Sequence, residues 1–251
     1  MGELVIEKKG EVLDAYKGGL FADSEDKEFV YKEGSLAGAK FEIYAAEDIY
    51  TADMQTDENG NRNKYYAEGD LVATAVTGED GRATVSDLPL GKYRVVEVEA
   101  PYGFVLNSEE QYVTFVYVDD KTPVIKESLT FANERQKVDL SVVKMDGETA
   151  EQISGAEFGL YASEDIVNAE GKVIVEKDTL LEVAVSDANG DVQFVKDYPL
   201  GNYYAKEIKA PAGYVSCDDI LEFEAGYHGQ DVKCVTIFAT FHNFPTTFEF
   251  T

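Results

Sequence analysis

Two stretches of this chain repeat one another: PLGKYRVVEVEAPYGF around Glu97 and PLGNYYAKEIKAPAGY around Glu207. A long-period internal repeat constrains the fold before any local pattern does, because each copy is expected to be one folding unit. Two further blocks align. LAGAKFEIYAAEDI (36–49) pairs with ISGAEFGLYASEDI (153–166), and AVTGEDGRATVSDLPLG (75–91) with AVSDANGDVQFVKDYPLG (184–201). From the glutamate onward the offset is constant, 207 − 97 = 110 and 243 − 133 = 110. The boundary falls near NERQKVDL, which gives domains 1–136 and 137–251 with almost no linker.

Short alternating runs separated by turn signals such as Glu79-Asp80-Gly81 and Asn189-Gly190 predict strands throughout. AAEDI and ASEDI are the only candidates for a helical turn. About seven strands per copy predict an all-β protein built as two tandem β-sandwiches. The first copy carries extra polar sequence, including ADSEDKEF (22–29) and TDENGNRN (56–63), expected as loops and thus as possible binding surfaces.

The formal net charge is −27, from 49 acidic and 22 basic residues, which argues against nucleic acid or anionic lipid as partner. No run of about 18 apolar residues is present to span a membrane. The opening MGELVIEKKG enters a strand pattern with no charged-then-apolar leader, as in a cytosolic chain or a piece excised from a longer exported one. Cys217 and Cys234 have no metal spacing. A single disulfide between them is one reading; two unpaired thiols is the preferred one, because strand parity turns Cys234 outward.

Strand parity also selects the chemistry. Side chains two apart share a face. Lys8 therefore joins Leu4 and Ile6 on a buried face, and Lys144 joins Leu140 and Val142. Glu97 joins Tyr93 and Val95, and Glu207 joins Tyr203 and Ala205; Asn133 joins Leu129 and Phe131, and Asn243 joins Ala239 and Phe241. Lys8 is preferred to its neighbour Lys9 because it matches Lys144 in parity. Burial drives a lysine toward the neutral amine and a glutamate toward the neutral acid. Beside an asparagine carboxamide, the amine can attack the amide carbon while the acid polarises its oxygen and shuttles protons; ammonia leaves and an isopeptide bond remains. The first set is expected to be the less secure, since its strand starts at the chain terminus, where fraying spoils geometry.

The Val-x-Lys-type first strand, Gly-Ala-x-Phe-x-x-Tyr, Tyr-x-x-x-Glu-x-x-Ala-Pro-x-Gly-Tyr/Phe and the closing Asn strand resemble the Cna-B/SpaA domains of Gram-positive pilins and adhesin stalks. That resemblance implies transthyretin-like, inverse-immunoglobulin sandwiches with spontaneous bonds Lys8–Asn133, promoted by Glu97, and Lys144–Asn243, promoted by Glu207. It implies an extracellular, cell-wall-anchored segment whose signal peptide and sorting signal lie elsewhere; the end, NFPTTFEFT, stops short of a sorting motif. Its partners would be neighbouring domains or pilus subunits, with no cofactor and no enzymatic turnover. Two alternatives stand: an adhesin module binding a host protein or glycan through the first copy's loops, and uncross-linked accessory domains of a secreted enzyme. Asp57-Glu-Asn59-Gly-Asn61 and Asp187-Ala-Asn189-Gly-Asp191 have calcium-like oxygen spacing but lack a later bidentate glutamate, and are read as turns. His228 and His242 belong to no hydrolase arrangement; His228 is placed at a hairpin tip and His242 on an outward face.

Overall fold

Alternation of apolar and polar residues, with Gly-, Asn- and Asp-containing turns between, leaves this chain one economical way to bury its apolar faces: sheet against sheet. The structure, a computed structural model, describes residues 1–18 and 27–246. No helix occurs among the described residues, and none is long and apolar enough to cross a membrane. The strands of the first repeat are β1 (Gly2–Lys17), β2 (Glu28–Ser35), β3 (Lys40–Ala45), β4 (Ile49–Tyr50), β5 (Lys64–Tyr66), β6 (Leu71–Val76), β7 (Arg82–Leu88), β8 (Gly91–Glu99), β9 (Gln111–Phe115) and β10 (Ile125–Asn133). Those of the second are β11 (Lys137–Asp146), β12 (Glu157–Ala162), β13 (Ile166–Val167), β14 (Val173–Val175), β15 (Leu180–Val185), β16 (Asp191–Phe194), β17 (Gly201–Lys209), β18 (Ile220–Ala225) and β19 (Cys234–Asn243).

The same sandwich is built twice. In the first copy β1 pairs with β10, β7 and β2, and the facing sheet runs β6-β3-β8-β9. In the second, β16-β11-β19 faces β15-β12-β17-β18. The second copy meets the expected strand number with three and four strands, the first has four and four because β2 is added, and each copy carries a short extra hairpin, β4–β5 and β13–β14. AAEDI and ASEDI form bends leading into those hairpins instead of helical turns. Asp48 and Asp165 accept main-chain N–H groups from Glu68 and Lys177, 20 and 12 residues further along the chain, which fastens each bend to the far side of its hairpin.

First and last strands run parallel in each copy. Lys8 lies opposite Phe131 and Gly10 opposite Asn133; Lys144 lies opposite Phe241 and Asp146 opposite Asn243. This register puts each lysine two residues short of its asparagine. One core holds Leu4, Ile6, Phe41, Ile43, Tyr93, Val95, Phe115 and Phe131, and the other Leu140, Val142, Phe158, Leu160, Phe194, Tyr203, Phe223 and Phe241.

The compact units exchange short segments across the sequence boundary near residue 136. Unit 1 comprises Met1–Glu11, Glu33–Arg135 and Gly229–Asp231; unit 2 comprises Val12–Lys32, Gln136–His228 and Val232–Thr251. The polar stretch 22–29 is not wholly a loop. Residues 22–26 lie outside the described residues, but Glu28 and Phe29 open β2, and Phe29 is buried. The stretch 56–63 does connect β4 to β5, as a turn.

Candidate functional site

In unit 1 the inward faces of β1 and β10 present Lys8 and Asn133, while Glu97 comes from β8 in the facing sheet. Glu97 lies opposite Phe41, and the register slips beside it, Lys40 pairing with Glu99. Val98 is therefore one extra residue, a bulge of the kind that re-aims a side chain. Lys8 Nζ donates to Asn133 Oδ1 at 2.5 Å and lies 3.0 Å from Glu97 Oε1. Asn133 Nδ2 donates to the same Oε1 at 3.0 Å, closing a triangle. The Lys8 and Glu97 side chains have 0% exposure, and the rings of Phe41 and Phe131 stand 5.7 and 5.9 Å from the amine. Lys9, one residue on, is half exposed and pairs with Glu33.

Burial lowers the pKa of Lys8, against the opposing hydrogen bond and charge of Glu97. Burial raises that of Glu97, against Lys8, Asn133 and the Asn107 N–H. Both groups move toward their neutral forms, the pairing an amine nucleophile and an acid catalyst need. The acid meets the attacking nitrogen and the nitrogen that would leave, a position suited to carrying a proton from one to the other. It makes no hydrogen bond to the carbonyl oxygen, whose partner is the amine.

Unit 2 repeats the scaffold but not the triangle. Asn243 Nδ2 donates to Glu207 Oε2 at 3.0 Å and to Val215 O at 2.6 Å. Lys144, also fully buried, donates to the main-chain oxygens of Met145 and Phe241 at 3.3 and 3.4 Å and hydrogen-bonds to neither partner. Asn243 Oδ1 and Glu207 Oε1 are left without a hydrogen bond. Glu207 is only half-buried where Glu97 is sealed. Burial lowers the pKa of Lys144, opposed by the charges of Glu207, Cys217 and Asp146. The expectation about terminal fraying runs the other way: β1 is flanked by β10 and β7, and the terminal amine of Met1 donates to Pro123 O at 3.1 Å.

Three supporting pairs went unrecognised as such in the sequence. Lys8 N donates to Gly81 O at 2.7 Å and Lys144 N to Gly190 O at 2.8 Å, so the turn glycines grip the main chain of each lysine. Asn107 and Cys217, at the same 110-residue offset, donate their backbone N–H to Glu97 and Glu207 at 3.3 Å. Their loops start at the Ala-Pro-x-Gly turns, where Gly103 and Gly213 hold positive φ. Tyr93 and Tyr203 donate to Pro89 O and Pro199 O, tying down the Pro-Leu-Gly-x-Tyr turn ahead of each glutamate strand. The constant 110-residue offset is the available signal for the second and third pairs; the glycines, 190 − 81 = 109 residues apart, are signalled only by their matching turns.

The remaining candidates have structural places. Asp57 accepts the N–H groups of Asn59 and Asn61, and Asp187 those of Asn189 and Asp191, so both carboxylates brace their own turns. No group of metal-ligating side chains is found among the described residues. Cys217 is half-buried and Cys234 exposed, both as free thiols. His228 lies in the loop before β19 and His242 faces outward, both exposed.

With two such sandwiches in place, the family comparison is decisive: the SpaA prealbumin-like fold domain matches residues 27–129 and again 138–236. This chain belongs to the SpaA prealbumin-like domain family. Of the six cluster residues, Glu97, Lys144 and Glu207 lie within the matched stretches of the SpaA domains. The Trypsin-resistant surface T6 protein of Streptococcus pyogenes serotype M6 is 24% identical over 151 residues, covering 59% of this chain and 25% of that protein. The Bacillus anthracis TIE protein superposes with a TM-score of 0.60 at 25% identity, covering 97% of this chain and 34% of that one. The shaft pilin spaA of Lactobacillus rhamnosus GG is similar at 16% identity, with a TM-score of 0.31 over 98% of this chain and 98% of that one. This SpaA-type chain thus spans about a quarter to a third of the length of the first two relatives.

Proposed function

We propose that this chain is a load-bearing segment of a Gram-positive cell-surface protein, a stalk or pilin-like tandem whose sandwiches are closed by self-formed Lys–Asn isopeptide bonds. Membership of the SpaA family and the likeness to a surface protein support the structural role. The observation that carries the cross-link is the sealed triangle of Lys8, Asn133 and Glu97. Neutral Lys8 Nζ attacks the Asn133 carboxamide carbon. The C–N bond to the carboxamide nitrogen breaks as Glu97 delivers a proton to it and receives one from the former amine. Ammonia is the leaving group, and Glu97 ends as it began. Fixed proximity supplies the rate that an amide, a poor electrophile in water, would otherwise lack; effective molarities of roughly 10⁵ M or more are attainable.

The second cluster, Lys144, Asn243 and Glu207, would close in the same way once the amine turns from its main-chain acceptors toward the carboxamide. Its two unpartnered oxygens mark the place for that donor. The geometry therefore favours a first bond that forms promptly and a second that forms later. Partners in this reading are neighbouring domains or subunits of a wall-attached assembly.

Intact mass tests the proposal. Each bond expels one ammonia, so the chain should be about 17 Da light with the first bond alone and about 34 Da light with both. Glu97→Ala should abolish the first deficit while leaving the second. A full-mass chain, folded but with no deficit, would discard the cross-link and leave a sandwich with buried polar clusters.

A further inference from the structure

Residues 12–32 precede the first recognisable repeat block, yet their described part is packed into unit 2. Phe29 is buried in the core cluster of that unit, with Leu13, Tyr16 and Tyr31 packed against it. The Phe29 ring meets Tyr16 at 4.8 Å and Tyr198, a fully buried residue, at 6.1 Å. Unit 2 also offers polar groups fitted to this segment. Asn168, buried in the turn between β13 and β14, donates its Nδ2 to Asp14 O at 3.0 Å, and Ala169 N donates to Leu13 O at 2.9 Å. Lys196 Nζ donates to Lys27 O at 2.8 Å, Tyr31 Oη to Asp197 O at 3.0 Å and Tyr16 Oη to Leu181 O at 3.4 Å. Lys32 pairs with Asp14 at 2.8 Å and with Glu170.

We propose that unit 2 carries a docking surface for a β-ribbon, that its occupant is the ribbon made by residues 12–17 of β1 and 28–32 of β2, and that the second repeat is completed only by it. Without this segment, Tyr198 and its neighbours lose the ring that covers them, and exposing large apolar and aromatic surface is costly. The buried Asn168 amide loses the Asp14 carbonyl, one of its two acceptors, and keeps Glu170 Oε2 at 2.7 Å, so one buried hydrogen bond is forfeited. The consequences reach the candidate cross-link. Leu181 lies in β15 and Lys196 two residues after β16, and β16 pairs with β11 from Leu140 to Val143, immediately before Lys144. This packing completes the second repeat whether or not either isopeptide bond forms.

Hydrogen exchange on the full chain, read by peptide mass spectrometry, tests it with Phe29→Ala. Amides of Leu180–Val185 and Asp191–Phe194 should exchange faster by about tenfold or more, as expected for a destabilised cooperative unit. Those of Lys40–Ala45 and Gly91–Glu99 in unit 1 should keep their rates. Acceleration confined to residues 12–17 and 27–32 would make the segment a mere appendage and overturn the proposal. So would unchanged exchange throughout, or equal acceleration in both units. Should Phe29→Ala fail to fold, Phe29→Leu keeps an apolar side chain but removes both ring contacts; it should give the same pattern at smaller amplitude, judged by the same outcomes.

Discussion

Lys8 and Glu97 are carried by burial away from the charges they hold in water, and their pH behaviour follows from treating them as a pair. With one proton between the two groups, the pair exists either as ammonium and carboxylate or as amine and acid. Burial favours the second form, since it lowers the lysine's pKa and raises the glutamate's. Acidification adds a second proton and leaves an ammonium that cannot attack; alkali removes the last proton and leaves no acid. Cross-linking should therefore be fastest on a plateau and slower on both sides. The acid fall belongs above the ordinary carboxylate range and the alkaline fall below the ordinary lysine value. Refolding freshly synthesised, uncross-linked chain across a pH series and following the mass deficit gives the profile. A rate that climbs steadily through the lysine range would show that amine deprotonation alone governs the step and that the glutamate's proton is not used.

At the scale of the element, the turn between β6 and β7, and its counterpart between β15 and β16, holds the lysine strand. Gly81 has φ +72°, and a Cβ there would sit 2.8 Å from Lys8 O and 2.7 Å from the Ser35 side chain. Gly190 has φ +73°, with Lys144 O only 2.5 Å from the same added atom. Both the left-handed backbone and the close approach require glycine. Gly81→Ala should cost about 1–3 kcal/mol, from strain plus displacement of β1. It should also slow the first mass loss without removing any reacting group. Chemical denaturation checks the first effect and a time course of intact mass the second. A stability within error of the unmutated chain would mean that the turn yields and does not clamp.

For the whole molecule, the parallel pairing of first and last strands decides what a bond would accomplish. Lys8 and Asn133 are 125 residues apart, so a bond between them closes nearly all of the first repeat into a loop. By analogy with a disulfide of that length, the unfolded chain loses entropy worth about 4–5 kcal/mol. Asn133→Ala removes the electrophile and should lower the unit's melting temperature by on the order of 15 °C. It should also open the first repeat to trypsin, while Lys9→Ala, a surface change, should do neither. Calorimetry and timed digestion measure both. Equal melting temperatures for the Asn133 variant and the parent would mean that no covalent tie had been lost.

Period-two alternation made much of this legible from the chain alone. It put Lys8, Lys144, Asn133 and Asn243 on inward faces because neighbours two residues away are apolar, and the repeat placed each pair at matching offsets. The same alternation, broken by Gly, Asn and Asp turns, required sheets packed face to face. Contacts between residues distant in sequence were not legible, since no local pattern encodes them. Parity alone gives Glu97 and Glu207 the same burial, yet only Glu97 is sealed; Glu207 stays half-buried and Lys144 turns to main-chain oxygens. Polar composition made residues 22–29 read as loop, whereas Phe29 is buried because a surface of unit 2 is there to receive it. Sequence by itself determined the sandwich and which polar groups must go inside it, because side-chain direction is a local property of a strand. Only the tertiary structure decided which of those groups meet and what completes each core, because packing is settled by whichever surfaces the whole chain brings together.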